Sequence, residues 1–383
     1  MARTIQEITT DRTPYADNLD DAHSLTLPKR DGSLNATAVT YWLQSQGVEV
    51  SGTPVVKRYV GGLSCRTYQL DYPAVSLILR QPMQGEKNLR QTSRMGREYA
   101  LQKALSPWYA VPSMVGLCED PKVIGTPFYV MKPIAGVIPR RVWPQSIELD
   151  RTQAQSLCRN VVDKLIELHH LDVNAIGCET MRVDEVHIGQ QLADLFRKHK
   201  RLRLWNTPDF AHVHAWLQDN QPRQEQLCLI HNDWRLDNLV FDPQCPREVI
   251  GVLDWEMARL GHPLMDLATM LHFWVEPTDN FLLRRYQWQP TSIDGMLTRR
   301  EIWNIYIKKS GVDPSDWAFY HVFSLFKLSL QVLALYHRYR SGRRHAHNDY
   351  IFFKGSWKII NYFYWKCRMA IYKSRTTEYD YIW

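Results

Sequence analysis

One stretch constrains this chain more than any other: "LIHNDWRLDNLVFD", residues 229 to 242, in which a histidine, three aspartates and two asparagines sit between apolar residues. Leu229-Ile230 and Leu239-Val240-Phe241 read as two short β segments with a polar loop between them. Taken alone, the loop is a surface turn, since Asn and Asp hydrogen-bond their own backbone and favour turns. The next residues change that reading. A second β-rich run, "EVIGVL", follows, and sixteen residues beyond Asn238 it ends at Asp254 in "LDWE". A hairpin through "NLVFDPQCPREVIGVLDWE" holds Asn238 and Asp254 on adjacent strand ends, with Asp233 beside them.

Phosphoryl transfer needs this set. A carboxylate must orient the attacking hydroxyl and take its proton, while oxygen ligands hold Mg²⁺ between the phosphates. Mg²⁺ favours one or two carboxylates plus phosphate and water oxygens over an all-protein cage. Asp233 suits the first role, and Asn238 and Asp254 the second. His231 is a candidate for proton transfer, although an anchoring role through hydrogen bonds is the better fit because Asp233 already holds the base position.

Along the chain, residues 1–35 are polar and read as an N-terminal arm. "VTYWLQSQG" predicts a short helix ending near Gly47. The β-rich runs of residues 54–82, punctuated by Gly and Pro, predict an antiparallel meander. Met95, Tyr99, Leu101 and Leu105 stand at helical spacings, and "PFYVMKPIAG" reads as a strand that ends in a Pro/Gly break. Beyond it the chain turns helical, with Leu157, Val161, Leu165 and Leu168 on one stripe. The expectation is an α+β fold in two lobes: residues 36–132 small, antiparallel and β-rich with one helix, and residues 133–383 larger and mostly helical.

At 383 residues the chain is long enough for two such units. A net charge of +7 does not separate an anionic small-molecule ligand from a nucleic acid or a membrane surface. Seven scattered cysteines without a C-x-x-C pair argue against a disulfide scaffold or a structural zinc site, and suit a reducing compartment. With no apolar run at the N-terminus and no 18-residue apolar window, the expectation is a cytoplasmic protein without a membrane span.

"HNDWRLDNLVFD … GVLDWEMARLGHPLMDLATML" resembles the aminoglycoside phosphotransferase / choline kinase-type family of small-molecule kinases, and within it the branch linked to acyl-CoA dehydrogenases. The resemblance runs from about residue 38 to about 280. It implies a protein-kinase-like bilobal fold, ATP and Mg²⁺ as cofactors, and a small hydroxylated molecule as acceptor, with no nucleic acid. An acyl-CoA dehydrogenase enters as a partner on the same resemblance. Residue by residue, Gly61, Gly62 and Ser64 in "GGLSC" resemble the phosphate-covering turn. Arg80 corresponds to the basic strand residue, and Glu98 to the helix carboxylate that pairs with it. Met131 and Lys132 match the hinge whose backbone meets adenine. Asp266 matches a carboxylate that braces the catalytic loop. Two departures stand out: Asn232 where the family has Gly, and His262 in place of an aspartate.

A catalytically silent module on the same fold is the rival reading, and the retained Asp233, Asn238 and Asp254 argue against it. A protein kinase is disfavoured by the lack of G-x-G-x-x-G, D-F-G and A-P-E. For the acceptor, a hydroxyacyl-CoA or hydroxy acid is expected ahead of an aminoglycoside- or choline-like cation. The basic run at residues 197–203 reads as a solvated helix face, with an anionic docking patch as the alternative. The aromatic and basic C-terminal tail reads as packing against the helical lobe, with interfacial membrane contact as the minor alternative.

Overall fold

The structure is a computed structural model that describes residues 29–30, 34–59, 65–83, 88–144, 147–177, 188–222, 227–341 and 350–375. Two compact units emerge: residues up to 103 with 112–133, and residues 104–111 with 134 onward.

In the N-terminal unit a six-stranded antiparallel sheet has the order β1-β2-β3-β4-β6-β5. Its strands are β1 (Lys29–Arg30), β2 (Val55–Tyr59), β3 (Cys65–Asp71), β4 (Ser76–Pro82), β5 (Met114–Cys118) and β6 (Phe128–Met131). The expected meander is there, with β2, β3 and β4 pairing in sequence order. Side-chain alternation sorts the faces. Leu77, Leu79, Phe128 and Val130 share one core cluster with Val39 and Leu43 of α1 (Ala36–Ser45). Ile78, Tyr129 and Met131 point the other way and meet Met95 of α2 (Asn88–Leu105). This unit thus draws on two helices, one per sheet face, where the sequence reading counted one. Helix α1 stops where Gly47 takes φ +76°, as the sequence predicts.

The C-terminal unit is helical with small β elements. Helix α3 (Arg151–His169) opens on a capping box between Asp150 and Gln153, and its stripe Leu157, Val161, Leu165 and Leu168 is fully buried. Then come α4 (Val173–Ile176), α5 (Ile188–Leu202) and α6 (Ala211–Asp219). Strands β7 (Cys228–Ile230) and β10 (Arg259–Gly261) form one antiparallel pair, and β8 (Leu239–Phe241) with β9 (Val249–Val252) the expected hairpin. Helices α7 (Pro263–Phe273), α8 (Phe281–Arg285), α9 (Arg299–Ser310), α10 (Trp317–Arg340) and α11 (Tyr350–Lys373) complete it. Helix α10 is long and apolar enough to cross a membrane by length and composition alone. Yet 72% of its most apolar window is buried inside the protein, against α7 and α11, as befits a core helix. The six described cysteines are free thiols, five of them buried; Cys178 lies outside the described residues.

Candidate active site

The loop between β7 and β8 is held from below by one carboxylate. Asp266, in the first turn of α7, accepts from the amides of His231 (2.7 Å) and Asn232 (2.5 Å). His169 approaches the same carboxylate at 3.2 Å and Tyr306 at the other ring nitrogen at 2.6 Å. Burial alone would raise the Asp266 pKa, but the His169 bond and the His231 contacts outweigh it and lower it. Asp266 is fully buried, and the loop hangs on it as the resemblance implies.

Asn232 takes φ +68° at the position where the family has Gly. Asn tolerates that region better than most residues, and here its side chain is also used. Its Nδ2 donates to the Met257 carbonyl at 3.2 Å, while its own carbonyl and Oδ1 both accept from Lys327 Nζ. Lys327 is buried in α10, and burial pulls its pKa down to about 8.

Asp233 comes next, its side chain only 18% exposed. Asn238 Nδ2 donates to the Asp233 carbonyl (2.9 Å) and to Oδ2 (3.0 Å). With Nδ2 turned to Asp233, Oδ1 is the polar atom that amide offers elsewhere. Asn238 closes a 3₁₀ turn, Leu236–Asn238, directly before β8. Across the hairpin Leu239 pairs with Val252, and the Leu253 amide donates to the Asn238 carbonyl at 2.8 Å. That bond puts Asp254 one residue from Asn238's partner, at the same end of the hairpin. Asp254 itself holds φ +66° at the start of the 3₁₀ turn Trp255–Met257, a backbone conformation that is uncommon outside Gly and recurs at functional sites. An amide oxygen and a carboxylate at one strand end fit the donor set Mg²⁺ accepts.

His231 sits as the anchoring role favoured from the sequence requires. Its ring is fully buried, packed edge-on to Trp234 and Trp255, and Nε2 donates to the Leu253 carbonyl at 2.8 Å. A buried ring with its donor so engaged ties the loop to the hairpin.

Sequence reading passed over Arg235 and Asp237. Arg235 approaches Asp233 at 3.3 Å and Asp237 at 3.2 Å, and its guanidinium lies 4.9 Å from the Phe273 ring centroid and 5.7 Å from that of Trp288. Burial raises the Asp237 carboxyl pKa despite Arg235. The signal was there: in "WRLDNLV" a charged pair alternates with the apolar Trp234 and Leu236. Lys327, a lone cation inside "FSLFKLSLQV", carried the same signal.

In the N-terminal unit Arg80 and Glu98 meet at 3.1 Å, with side chains 10% and 1% exposed. Parity explains it: Arg80 points to the same face as Ile78, where α2 lies. Met131 ends β6 and is buried, and the Lys132 amide already donates to the Ser113 carbonyl at 2.8 Å. Gly61, Gly62 and Ser64 lie outside the described residues. His262 caps α7, accepting from the Leu264 amide, and stacks on Tyr320; burial, with His169 adding, lowers its pKa to about 4. A neutral capping histidine thus stands where the family has a carboxylate.

Comparison with known proteins bears on the family and the fold. Acyl-CoA dehydrogenase family member 10 of Mus musculus is 30% identical over 299 residues, 78% of this chain but only 28% of that protein's length. A solved chain from Ralstonia eutropha, assigned as an aminoglycoside phosphotransferase, superposes with a TM-score of 0.69 at 22% identity, covering 88% of this chain and 98% of its own. The streptomycin-ATP-APH(2")-IIa ternary complex gives a TM-score of 0.52 at 16% identity, covering 79% and 90%. The fold is therefore the α+β, protein-kinase-like fold of aminoglycoside phosphotransferases. The model of the phosphotransferase enzyme family matches residues 55–301, a span that takes in Arg80, Glu98 and the whole loop from His231 to Asp254. The chain belongs to the phosphotransferase enzyme family.

Proposed function

We propose that the chain transfers the terminal phosphoryl group of ATP to a hydroxyl of a small molecule, with Asp233 as proton acceptor and Asn238 and Asp254 as Mg²⁺ ligands. The observation that carries this reading is the bond from Asn238 Nδ2 to Asp233 Oδ2 at 3.0 Å. It fixes the base and leaves the amide oxygen for a cation. Among the described residues no group of three His, Cys, Asp or Glu is arranged to hold a metal. That suits an ion taking most of its ligands from phosphate and water. When bound, Mg²⁺ would neutralise charge on the phosphates. Asp233 would orient the acceptor hydroxyl and take its proton, and Arg235, 3.3 Å away, would hold that carboxylate in place. In the N-terminal unit, Arg80 braced by Glu98 suits phosphate oxygens. With the Lys132 amide engaged, its carbonyl and the Met131 backbone are the groups assigned to adenine.

For the acceptor, the reading is a hydroxyacyl-CoA or a hydroxy acid. The named dehydrogenase relative supports it, and an acyl-CoA dehydrogenase is proposed as a partner on the same ground. So does the fate of the nearby acids. Arg299 binds Asp279 bidentately (2.7 and 2.9 Å) and approaches Glu276 at 3.3 Å, so neither is free to meet a polycation. Aromatic walls at Phe273 and Trp288 suit an acyl chain. A competition assay offering kanamycin, choline and a 4-hydroxyacyl-CoA at equal concentration tests it, with Asp233→Ala as control. Phosphorylation of the thioester is expected. Preference for either cation refutes the acyl reading and leaves phosphotransfer standing.

A further inference from the structure

Three of the four tryptophans exposed among the described residues gather on one face of the C-terminal unit. Along α11, Trp357, Asn361, Trp365, Arg368 and Tyr372 recur every three or four residues and share one side. Trp357 is 38% exposed, Trp365 54% and Tyr372 68%, while Ile360, Phe363, Cys367 and Ile371 are buried on the opposite side. The turn that carries Trp205, 89% exposed, is fastened beside this stripe. Asn361 Nδ2 donates to the Asn206 carbonyl at 3.4 Å, and Phe210 packs edge-on to Tyr364 at 5.1 Å.

Positive charge prevails on this face. Residues 350–375 hold six Lys and Arg and no Asp or Glu. At the end of α5, Arg197 pairs with Asp194 and Arg203 with Asp209. Lys200, Arg201, Lys358 and Arg368 have no carboxylate within ion-pair distance among the described residues. Lys200 and Lys358 lie instead over aromatic rings, Phe196 and Trp357, at 4.8 and 5.7 Å. From Trp357 to Tyr372 the stripe runs about 22 Å along α11 at 1.5 Å per residue.

Indole rings interleaved with cations that meet no carboxylate among the described residues match the headgroup layer of a bilayer, where Trp and Tyr sit at the polar–apolar boundary and Lys and Arg meet anionic lipids. An acidic protein would satisfy the cations but would have to supply a pocket for each exposed ring. We propose that this face is a peripheral docking surface for an anionic lipid bilayer. The rings of Trp205, Trp357 and Trp365 enter the headgroup layer, and Lys200, Arg201, Lys358 and Arg368 meet lipid phosphates. Docking is independent of the phosphotransfer chemistry and needs no membrane-spanning segment.

Sedimentation of the purified full chain with phosphatidylcholine vesicles, with and without phosphatidylglycerol, tests the proposal. Binding is expected only to the anionic vesicles, and salt should release it as the Debye length shortens. The pair Lys358→Glu/Arg368→Glu should lower the partition coefficient about tenfold or more. The pair Trp357→Ala/Trp365→Ala should lower it as well, with thermal melting unchanged in both. A wild-type chain that stays in solution with both vesicles overturns the proposal, as do variants that sediment like wild type. A dimer in solution that both pairs abolish, without vesicle binding, assigns the face to a second copy and also overturns it.

Discussion

Lys327 Nζ lies 3.0 Å from the carbonyl oxygen of Asn232 and also donates to its Oδ1, although the two residues stand 95 positions apart. A buried ammonium is held by the one loop residue that departs from the family's glycine. Asn232→Gly relieves a positive φ but removes an acceptor from a buried charge, a loss of roughly 1–3 kcal/mol. The substitution should lower stability in wild type and much less in a Lys327→Met background. Denaturant unfolding of the four proteins measures the coupling; equal losses in both backgrounds would show that the contact contributes nothing.

The same lysine predicts a pH dependence. Burial, with Arg259 adding, pulls its pKa from the ordinary 10.5 to about 8. Between those values the unfolded chain holds the proton that the folded chain has released, so stability should rise with pH across this window. Below about pH 8 both states are protonated and the burial penalty is present in full. Urea unfolding at about pH 8 and about pH 10 should show wild type gaining stability relative to Lys327→Met, a difference that cancels the opposing titration of the buried thiols. An equal response in the two proteins contradicts the assignment.

Asp233→Ala should leave folding intact and cut turnover by about 10²- to 10⁴-fold, the usual worth of a positioned base. The purified variant, checked by circular dichroism and assayed for ATP-dependent phosphorylation, decides this. Near-normal turnover removes Asp233 from the base position.

Asn238→Ala and Asp254→Ala should each weaken Mg²⁺-dependent nucleotide binding, since each deletes an oxygen ligand. Titration of ATP with and without Mg²⁺ is the measurement. If both variants keep the wild-type metal dependence, the cation is held elsewhere.

Arg80→Lys keeps the charge beside Glu98 but loses the bidentate fork. It should raise the KM for ATP more than the KM for the acceptor. The reverse pattern would move Arg80 to the acceptor's side of the reaction.

The candidate site was legible because its residues lie within 24 consecutive positions, His231 to Asp254, and a local hairpin sets their geometry. Arg80 and Glu98 were legible in part, since period-two alternation puts Arg80 on the face that α2 covers. Nothing local announced Lys327 as the partner of Asn232. That contact depends on how α10 packs, and spacing along the chain does not encode it. For His231 the sequence favoured the anchor over proton transfer, and its burial with the bond to the Leu253 carbonyl supports that choice. The second helix of the N-terminal unit was visible as a helical spacing, but which sheet face each helix covers becomes plain only once the strands are paired.

Residues 104–111 belong to the C-terminal unit although they precede the last two strands of the other. The Tyr109 hydroxyl donates to the Lys164 carbonyl at 2.6 Å, and the Ala110 carbonyl accepts from the Val252 amide at 2.7 Å. On the ribosome this segment emerges long before Val252 exists, so its strand-end partner is missing for much of synthesis. The larger unit must therefore finish folding late, around a piece of chain made early. Cutting the protein before Ile134 would not liberate that unit: it would strip out the segment on which β9 closes.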